Sequence, residues 1–571
     1  MDLTFNIGGM AGQGIDTIGG LLAKVFVKTG FYTFTVKDFE SRIRGGYNFT
    51  QIRVSDAPVH CPVDDIDLIV ALSKDAITGK RDQLVDDGVI IYDDRFDFEP
   101  DEECYFPAPL SKTAKEVGGS TRMTNAAALG ALLSVIRFPF DLARQVLTDI
   151  FTRKGERVVE DNVRVAQALY DYTAERFSGR CRHNLSMLKG GPSTDRLLLT
   201  GNEAVAFGAM AANVKWVASY PMSPSTSAFI EVVSHARDLK IATLQPEDEI
   251  AALCMSIGAS YGGVRSMVTT SGGGFSLMVE ALGLAAMTET PVVIYNAQRP
   301  GPSTGLPTRT EQSDLLFSAF ASQGEFPRIV LAPKDILDAF HTTVRGFNLA
   351  DQFQVPVIIL GDQYLADSAA NIAPLDVTSV EIDRGKLARP ADGDEYMRYR
   401  LTDDGISPRA FPGDEGVFVV SSGNTHLEDG HITEDPKIRN AMVEKFMKKA
   451  PAIREALKPP LLTGRADSKM CLVTWGSTWG AVSEAAEKLN KSGLSISHLH
   501  FTDLYPLRTG LLNEFFAKAE RVVSVEQNAT SQFASLVTME TGLRFDHHIN
   551  KYDGRPMTPH WVMQMVEEVI A

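Results

Sequence analysis

Closely spaced cysteines are missing from this chain. Its 571 residues contain five, Cys61, Cys104, Cys181, Cys254 and Cys471, and no two stand in a Cys-x-x-Cys pair. An odd, scattered set excludes a disulfide framework and reads as reduced thiols in a cytoplasmic protein. It also argues against an iron–sulfur cluster held by this chain alone, since the usual cluster ligands are closely spaced thiolates. Positive charge is scarce too: 56 Lys and Arg face 72 Asp and Glu, a net charge of −16. Phosphate neutralisation needs clustered cations, so the balance argues against nucleic acid as a partner and disfavours anionic membranes. No run approaches the roughly 20 apolar residues that span a bilayer. The opening MDLTFNIGGMAGQG lacks a basic segment followed by an apolar core, and we expect no secretory signal. His426 and His431 flank an acidic loop and His547 and His548 lie near the C-terminus; neither set forms a His-Glu-x-x-His motif, so no metal site is expected.

What the chain has is apolar mass, 44% of its residues, arranged in a recurring alternation. At roughly 100–200 residues per domain, its length implies several domains. The alternation is clearest between Ser219 and Asp314. Apolar runs KWVASY (215–220), IATLQ (241–245), RSMVTT (265–270) and PVVIYNA (291–297) read as strands. Helical patterns at 227–239, 249–261 and 276–289 separate them. Strands alternating with helices of this length predict a parallel sheet with crossover helices. Four polar or Gly/Pro-rich segments follow the four strands: the Tyr-Pro-Met-Ser-Pro run, Glu-Asp-Glu (247–249), Thr-Ser-Gly-Gly-Gly-Phe-Ser (270–276) and the loop 298–314. Ligands of such sheets collect beyond the carboxyl ends of the strands, so these segments predict one site.

The N-terminal region opens as strand, glycine loop and helix: LTFNIGG (3–9), then Gly9, Gly12 and Gly14, then 15–30. Such a loop admits a phosphate at a helix N-terminus, although the spacing is not that of the dinucleotide fingerprint, and tight helix–strand packing explains it equally well. Arg42 and Arg44 beside Gly45 and Gly46 form a candidate anion clamp, or a solvated hairpin turn. Residues 179–196 read as a linker. A second α/β region starts at 197, a Pro-, Gly- and Asp-rich arm occupies 371–465, and a third α/β region follows from 466.

Four side chains in the central stretch could carry chemistry. Glu249 enters an apolar helix, where a buried carboxyl needs a partner and could hydrogen-bond a heteroaromatic nitrogen; the ordinary alternative is a first-turn acid favoured by the helix dipole. Arg299 ends an apolar strand and could bind a carboxylate with two bonds, or cap the sheet edge. Ser223 and Thr308 are hydroxyls in neighbouring loops, which turn and cap chemistry would also explain. Asn528 lines a pocket or forms a turn. The residues alone reach as far as a multi-domain α/β protein acting on an anionic small molecule.

The motifs GMAGQG (9–14), SRIRGG (41–46), GNEAVAFGA (201–209), YPMSPST (220–226), EDEIAA (247–252), TSGGGFSLM (270–278), QRPGPSTGLPT (298–308) and DGISPRAFPG (404–413) occur together. With them the chain resembles the α subunits of 2-oxoacid:ferredoxin oxidoreductases that carry a fused N-terminal γ domain, and most of all the 2-oxoglutarate group. The resemblance implies an α/β architecture of three parallel-sheet domains: γ-type (1–178), thiamine-pyrimidine-binding-like (197–370) and transketolase C-terminal-like (466–571), with a connecting arm. It implies a thiamine diphosphate enzyme that oxidatively decarboxylates a 2-oxoacid, passes electrons to ferredoxin and acylates coenzyme A. By motif position Glu249 is the carboxyl that pairs with the aminopyrimidine, beside Tyr220 and Pro221. Arg299 holds the substrate carboxylate, and Ser223 and Thr308 are substrate-side hydroxyls. Gly9, Gly12, Gly14, Arg42 and Arg44 are candidate coenzyme A contacts. The sequence has Met222-Ser223 where the family often has Ile-Thr, and it has no Gly-Asp-Gly followed by Asn. The resemblance therefore implies that Mg2+, the diphosphate and a [4Fe-4S] cluster sit mainly on a separate β subunit, in an αβ or (αβ)2 assembly. The alternatives are a pyruvate, branched-chain or indolepyruvate enzyme of the same class, or a non-catalytic anion-binding protein.

Overall fold

The first strand, Asp2–Gly9, sorts its side chains by alternation: Leu3, Phe5 and Ile7 are buried against Ile18, Leu22 and Phe26 of helix Ile15–Lys28. The strand pairs in parallel with Ile66–Ala71, which continues through Leu84–Asp93 to Tyr105–Ala108. On its other side it pairs antiparallel with Asn48–Ser55, itself the partner of Tyr32–Asp38. This sheet is therefore mixed. The short link between Asp38 and Asn48 reverses the chain, whereas a parallel pair needs a crossover of a dozen residues or more. Beyond Tyr32–Asp38 lie Ala369–Ile372, antiparallel to it, and Leu197–Thr200. The expected break between 370 and 371 thus falls inside a strand, pinned by Asn371, which accepts from the Thr33 N–H at 2.8 Å and donates to the Phe31 carbonyl at 2.7 Å.

The computed structural model describes residues 1–41, 46–98, 103–152, 155–177, 184–186, 195–388 and 395–570. Contacts divide the chain into two compact units, 1–199 with 368–374, and 200–367 with 375–571. The second unit holds a seven-stranded sheet in the order Asp503–Tyr505, Ile329–Leu331, Pro356–Asp362, Val292–Gln298, Ser266–Thr270, Trp216–Ala218, Ala242–Leu244. All its pairings are parallel except that of Asp503–Tyr505. Helices Thr226–Leu239, Glu249–Tyr261 and Gly272–Met287 make the crossovers. The last starts four residues before the apolar pattern at 276, because its three leading glycines are helical.

The same unit contains a five-stranded sheet, ordered Leu461–Thr463, Ile496–Phe501, Met470–Trp475, Arg521–Glu526, His547–Asn550. One core joins the two sheets: Val268, Phe275 and Ile294 belong to the same buried cluster as Val473, Trp475, Leu499 and Phe533. The arm lies on this unit through buried ions. Asp351 accepts from Arg265 and Arg384 at 2.9 Å each and from Arg409 at 2.7 Å. Glu289 accepts from Lys445 and Lys449 of helix Pro436–Ala456, and all three side chains are about 1% exposed. No helix among the described residues is long and apolar enough to cross a membrane.

Candidate active site

The glycine turn at the start of helix Gly272–Met287 gathers the central motifs. A Cβ on Gly274 would stand 2.7 Å from Glu249 Oε1 and would strike Thr270 Oγ1. A Cβ on Gly272 would lie 2.9 Å from the Asp314 carboxyl carbon. One on Gly273 would approach Met222 Sδ at 3.9 Å and the Ser303 carbonyl at 4.0 Å. Glycine is a poor helix former, but here the first turn must let a carboxylate from one side and a loop from the other reach the backbone.

Glu249 follows the helix cap Asp248, whose carboxylate accepts from the Ala251 N–H at 2.7 Å. The cap fixes the first turn and turns Glu249 inward, where it is only 3% exposed. Its Oε1 has no hydrogen-bond partner among the described residues. Two other buried polar atoms at this end of the sheet are also unpartnered among the described residues: Ser271 Oγ, after strand Ser266–Thr270, and Asn296 Oδ1 in strand Val292–Gln298. A buried acceptor left without a donor costs about 1–3 kcal/mol, so such a group fits a bound donor.

Arg299 stands at the tip of strand Val292–Gln298 and donates from Nη1 to the Ser223 carbonyl at 2.7 Å. The structure thus joins Arg299 to Ser223, through the backbone of the Tyr-Pro-Met-Ser-Pro turn. Asn202 holds that turn, donating to the Pro224 carbonyl at 2.8 Å and to Ser227 Oγ at 2.6 Å, and accepts from Tyr295 Oη at 2.9 Å. No carboxylate lies within ion-pair distance of Arg299 among the described residues, and its side chain is partly exposed. Burial pulls its pKa down, and the negative charge of Asp314 works against that pull.

The loop after Arg299 closes on itself when Leu306 N–H donates to the Pro300 carbonyl at 3.0 Å. Gly305 has φ +53°, and any Cβ there would collide with the same carbonyl. Thr308 follows on the partly exposed rim. The C-terminal layer then clamps the chain. Gln312 N–H donates to the Gln527 carbonyl at 2.7 Å, and Gln312 Nε2 donates to Asp362 at 2.9 Å. Gln532 accepts from Leu316 N–H at 3.0 Å and donates to the Ser313 carbonyl at 2.7 Å. Asn528 proves to be a turn former, with Oδ1 accepting from Thr530 and Gln532 N–H at 3.2 and 3.1 Å.

Asp314 hangs from the strand that delivers Arg299. Its N–H donates to Gln298 Oε1 at 2.9 Å and its carboxyl accepts from Asn296 Nδ2 at 3.3 Å. Burial pushes its carboxyl up to about 6; the Asn296 bond and Arg299 oppose this and Glu311 adds to it. Sequence reasoning assigned no role to Asp314, Ser271 or Asn296. The available signal was Asn296, an amide within the apolar run PVVIYNA.

Tyr220, 38% exposed, and Pro221 lie on the surface beside this turn. In the first unit, Gly14 is the left-handed cap of helix Ile15–Lys28 at φ +79°, with Asn125 pressed against it. Gly9 faces Gln13, whose side chain accepts from the Met10 N–H at 2.7 Å. Gly12 is left-handed at φ +87° and open to space. Arg42 and Arg44 lie outside the described residues.

A buried acid and an arginine, each without a charged partner among the described residues, thus stand at the carboxyl end of one parallel sheet, where such sheets bind small molecules. Comparison with known proteins names the class. Residues 207–445 match the thiamine diphosphate-binding family model of pyruvate flavodoxin/ferredoxin oxidoreductases, and residues 4–172 match the pyruvate ferredoxin/flavodoxin oxidoreductase model. A 2-oxoacid:ferredoxin oxidoreductase subunit alpha of Aeropyrum pernix is 31% identical over 100% of this chain and 98% of its own. The 2-oxoglutarate oxidoreductase subunit KorA of Mycobacterium tuberculosis is 28% identical over 92% of this chain and 86% of its own. The structure of 2-oxoglutarate:ferredoxin oxidoreductase from Magnetococcus marinus, with 2-oxoglutarate, coenzyme A and succinyl-CoA bound, superposes with a TM-score of 0.93 at 33% identity and covers 100% of both chains. The chain belongs to the family of 2-oxoacid:ferredoxin oxidoreductase α subunits.

Proposed function

We propose that this chain is the α subunit of a thiamine diphosphate-dependent 2-oxoglutarate:ferredoxin oxidoreductase. It would convert 2-oxoglutarate and coenzyme A to succinyl-CoA and CO2 with reduction of ferredoxin, or run the reverse carboxylation. The observation that carries the reading is the unpartnered Glu249 carboxyl oxygen over Gly274, close to the turn that holds Arg299. The relatives named for 2-oxoglutarate support the choice of substrate.

The residues fit the pyrimidine end of the cofactor. Glu249 Oε1 needs a donor in a dry setting, and a protonated ring nitrogen supplies one. Thiamine diphosphate, when bound, supplies the carbon nucleophile for the 2-oxo carbon. Glu249 holds the ring and shares its proton, with Tyr220 and Pro221 beside it. Arg299 spends one donor on the Ser223 carbonyl, and its remaining N–H groups face a substrate carboxylate. Ser223 and Thr308 offer hydroxyls to the same substrate. In the first unit, Gly9, Gly12 and Gly14, with Arg42 and Arg44, are the proposed coenzyme A contacts. Mg2+, most of the diphosphate site and the [4Fe-4S] cluster belong in this reading to a β subunit, in a cytoplasmic αβ or (αβ)2 assembly.

The test is a substrate panel on the co-expressed pair. Coenzyme A-dependent viologen reduction should be fastest with 2-oxoglutarate and should vanish without the β subunit. Equal rates with pyruvate would remove the 2-oxoglutarate assignment. Arg299→Ala should raise KM for the 2-oxoacid roughly tenfold or more, as expected for loss of a charge-assisted bond worth about 1.5–3 kcal/mol; an unchanged KM would remove its role.

A further inference from the structure

Asp314 acts on Arg299 and has no part in the proposed function. Its setting is unusual for a carboxylate. Among the described residues, the only side-chain donor it meets is the Asn296 amide, at a long 3.3 Å. No cation lies within ion-pair distance of it among the described residues, and the backbone of Gly272 closes one side. A partly buried carboxylate with one weak donor and no ion pair holds its negative charge poorly. Two charged groups face it: Arg299, which favours the charged form, and Glu311, which disfavours it. Strand Val292–Gln298 contributes only the neutral Asn296 and Gln298, and helix Gly272–Met287 contributes a glycine.

A substrate carboxylate on Arg299 changes this balance. It neutralises the one cation that supports Asp314 and brings a second negative charge close. Like charges that cannot be separated or solvated resolve by protonation. We propose that Asp314 takes up one proton when a 2-oxoacid carboxylate docks on Arg299, so that this side chain positions the substrate by giving up its charge. The proton comes from solvent, and no substrate bond breaks in this step. The inference rests on Arg299 as the carboxylate site. It concerns the carboxylate that every 2-oxoacid shares, so it stands apart from the choice of 2-oxoglutarate.

The coupling has a definite sign. Above the ionisation of Asp314, binding must draw a proton from an increasingly dilute supply, so affinity falls as pH rises. The experiment measures KM from pH 6 to pH 8 in the co-expressed pair, with whichever 2-oxoacid of the panel turns over fastest. Wild-type KM should rise about tenfold or more across that range, as full coupling to one proton allows. Asp314→Asn should flatten the profile to within roughly twofold and give a KM below wild type at pH 8. Asp314→Glu should restore the slope, which a merely structural role for Asp314 does not predict. Asp314→Ser serves as a second neutral variant should the amide fail to assemble. A neutral variant that keeps the wild-type slope overturns the proposal. Arg299→Ala in the same series separates the two ideas: a raised KM with the slope retained in Asp314→Asn sinks only the proton uptake, whereas an unchanged KM in Arg299→Ala sinks the carboxylate site and the proposal with it.

Discussion

At the scale of single residues, the site depends on what glycine leaves out. Gly274 is a glycine because the Glu249 carboxyl and Thr270 occupy the volume of its side chain. Gly274→Ala forces one of the two to move. Overpacking of this kind costs about 1–3 kcal/mol. Displacement of Glu249 should reduce turnover by more than that stability loss explains. Glu249→Gln separates the effects: it keeps the volume, removes the acid, and should leave the melting temperature within a few degrees. Turnover should fall roughly 100-fold or more, the usual contribution of a positioned acid or base. Viologen reduction and a thermal melt on each variant check both statements. Near-normal turnover in Glu249→Gln would contradict its role.

At the scale of elements, helix Gly272–Met287 links the site to the arm. Its first turn faces Glu249 and Asp314, and Glu289 lies two residues past its last turn. Burial alone would push the Glu289 carboxyl up, but Lys449, Lys445 and Arg398 outweigh it and hold the carboxyl at about 2. Lys445 is drawn down to about 8, with burial lowering it against the pull of Glu289. Nothing in the sequence of the arm announced this. Helix Pro436–Ala456 is rich in Lys, Arg and Glu, yet Lys445 and Lys449 are among its most buried side chains. A lysine that pairs with an acid more than 150 residues away carries no local signal. Glu289→Gln leaves two ammonium groups buried without a counter-charge. Breaking a buried pair costs about 3–5 kcal/mol, whereas replacing all members with apolar groups is often neutral. The denaturation midpoint should fall sharply in Glu289→Gln and recover in a variant that also carries Lys445→Met and Lys449→Met. Absence of a fall would show that the cluster adds nothing to stability.

At the scale of the whole chain, what the sequence revealed was what is periodic or local. The α/β class and the strands behind each motif follow from apolar runs such as PVVIYNA and RSMVTT, which became Val292–Gln298 and Ser266–Thr270. The gathering of motifs at the carboxyl ends follows from parallel topology. Hidden were the pairings between distant segments. The return of Ala369–Ile372 to the first sheet is one. The loan of Asp503–Tyr505 to the second sheet is another. The support of the 299–314 loop by the C-terminal layer is a third, and it bears on function. Glu526 fixes that layer's tip, accepting from Phe533 and Ala534 N–H at 2.8 and 2.9 Å and from Asn528 at 2.9 Å. Gln532, on the same turn, bonds both Ser313 and Leu316, on either side of Asp314. Gln532→Ala removes both bonds at once and leaves a backbone N–H and a carbonyl unmatched, at about 1–3 kcal/mol each if they stay dry. The loop then loses its grip on Asp314, and with it the register of Asp314 against Gln298 and Asn296. The expected result is a KM for the 2-oxoacid raised severalfold, with affinity for the proposed β subunit unchanged. Initial-rate kinetics and co-purification measure the two. If KM stays at the wild-type value while the melting temperature falls, the C-terminal layer stabilises the fold without setting the geometry of the site.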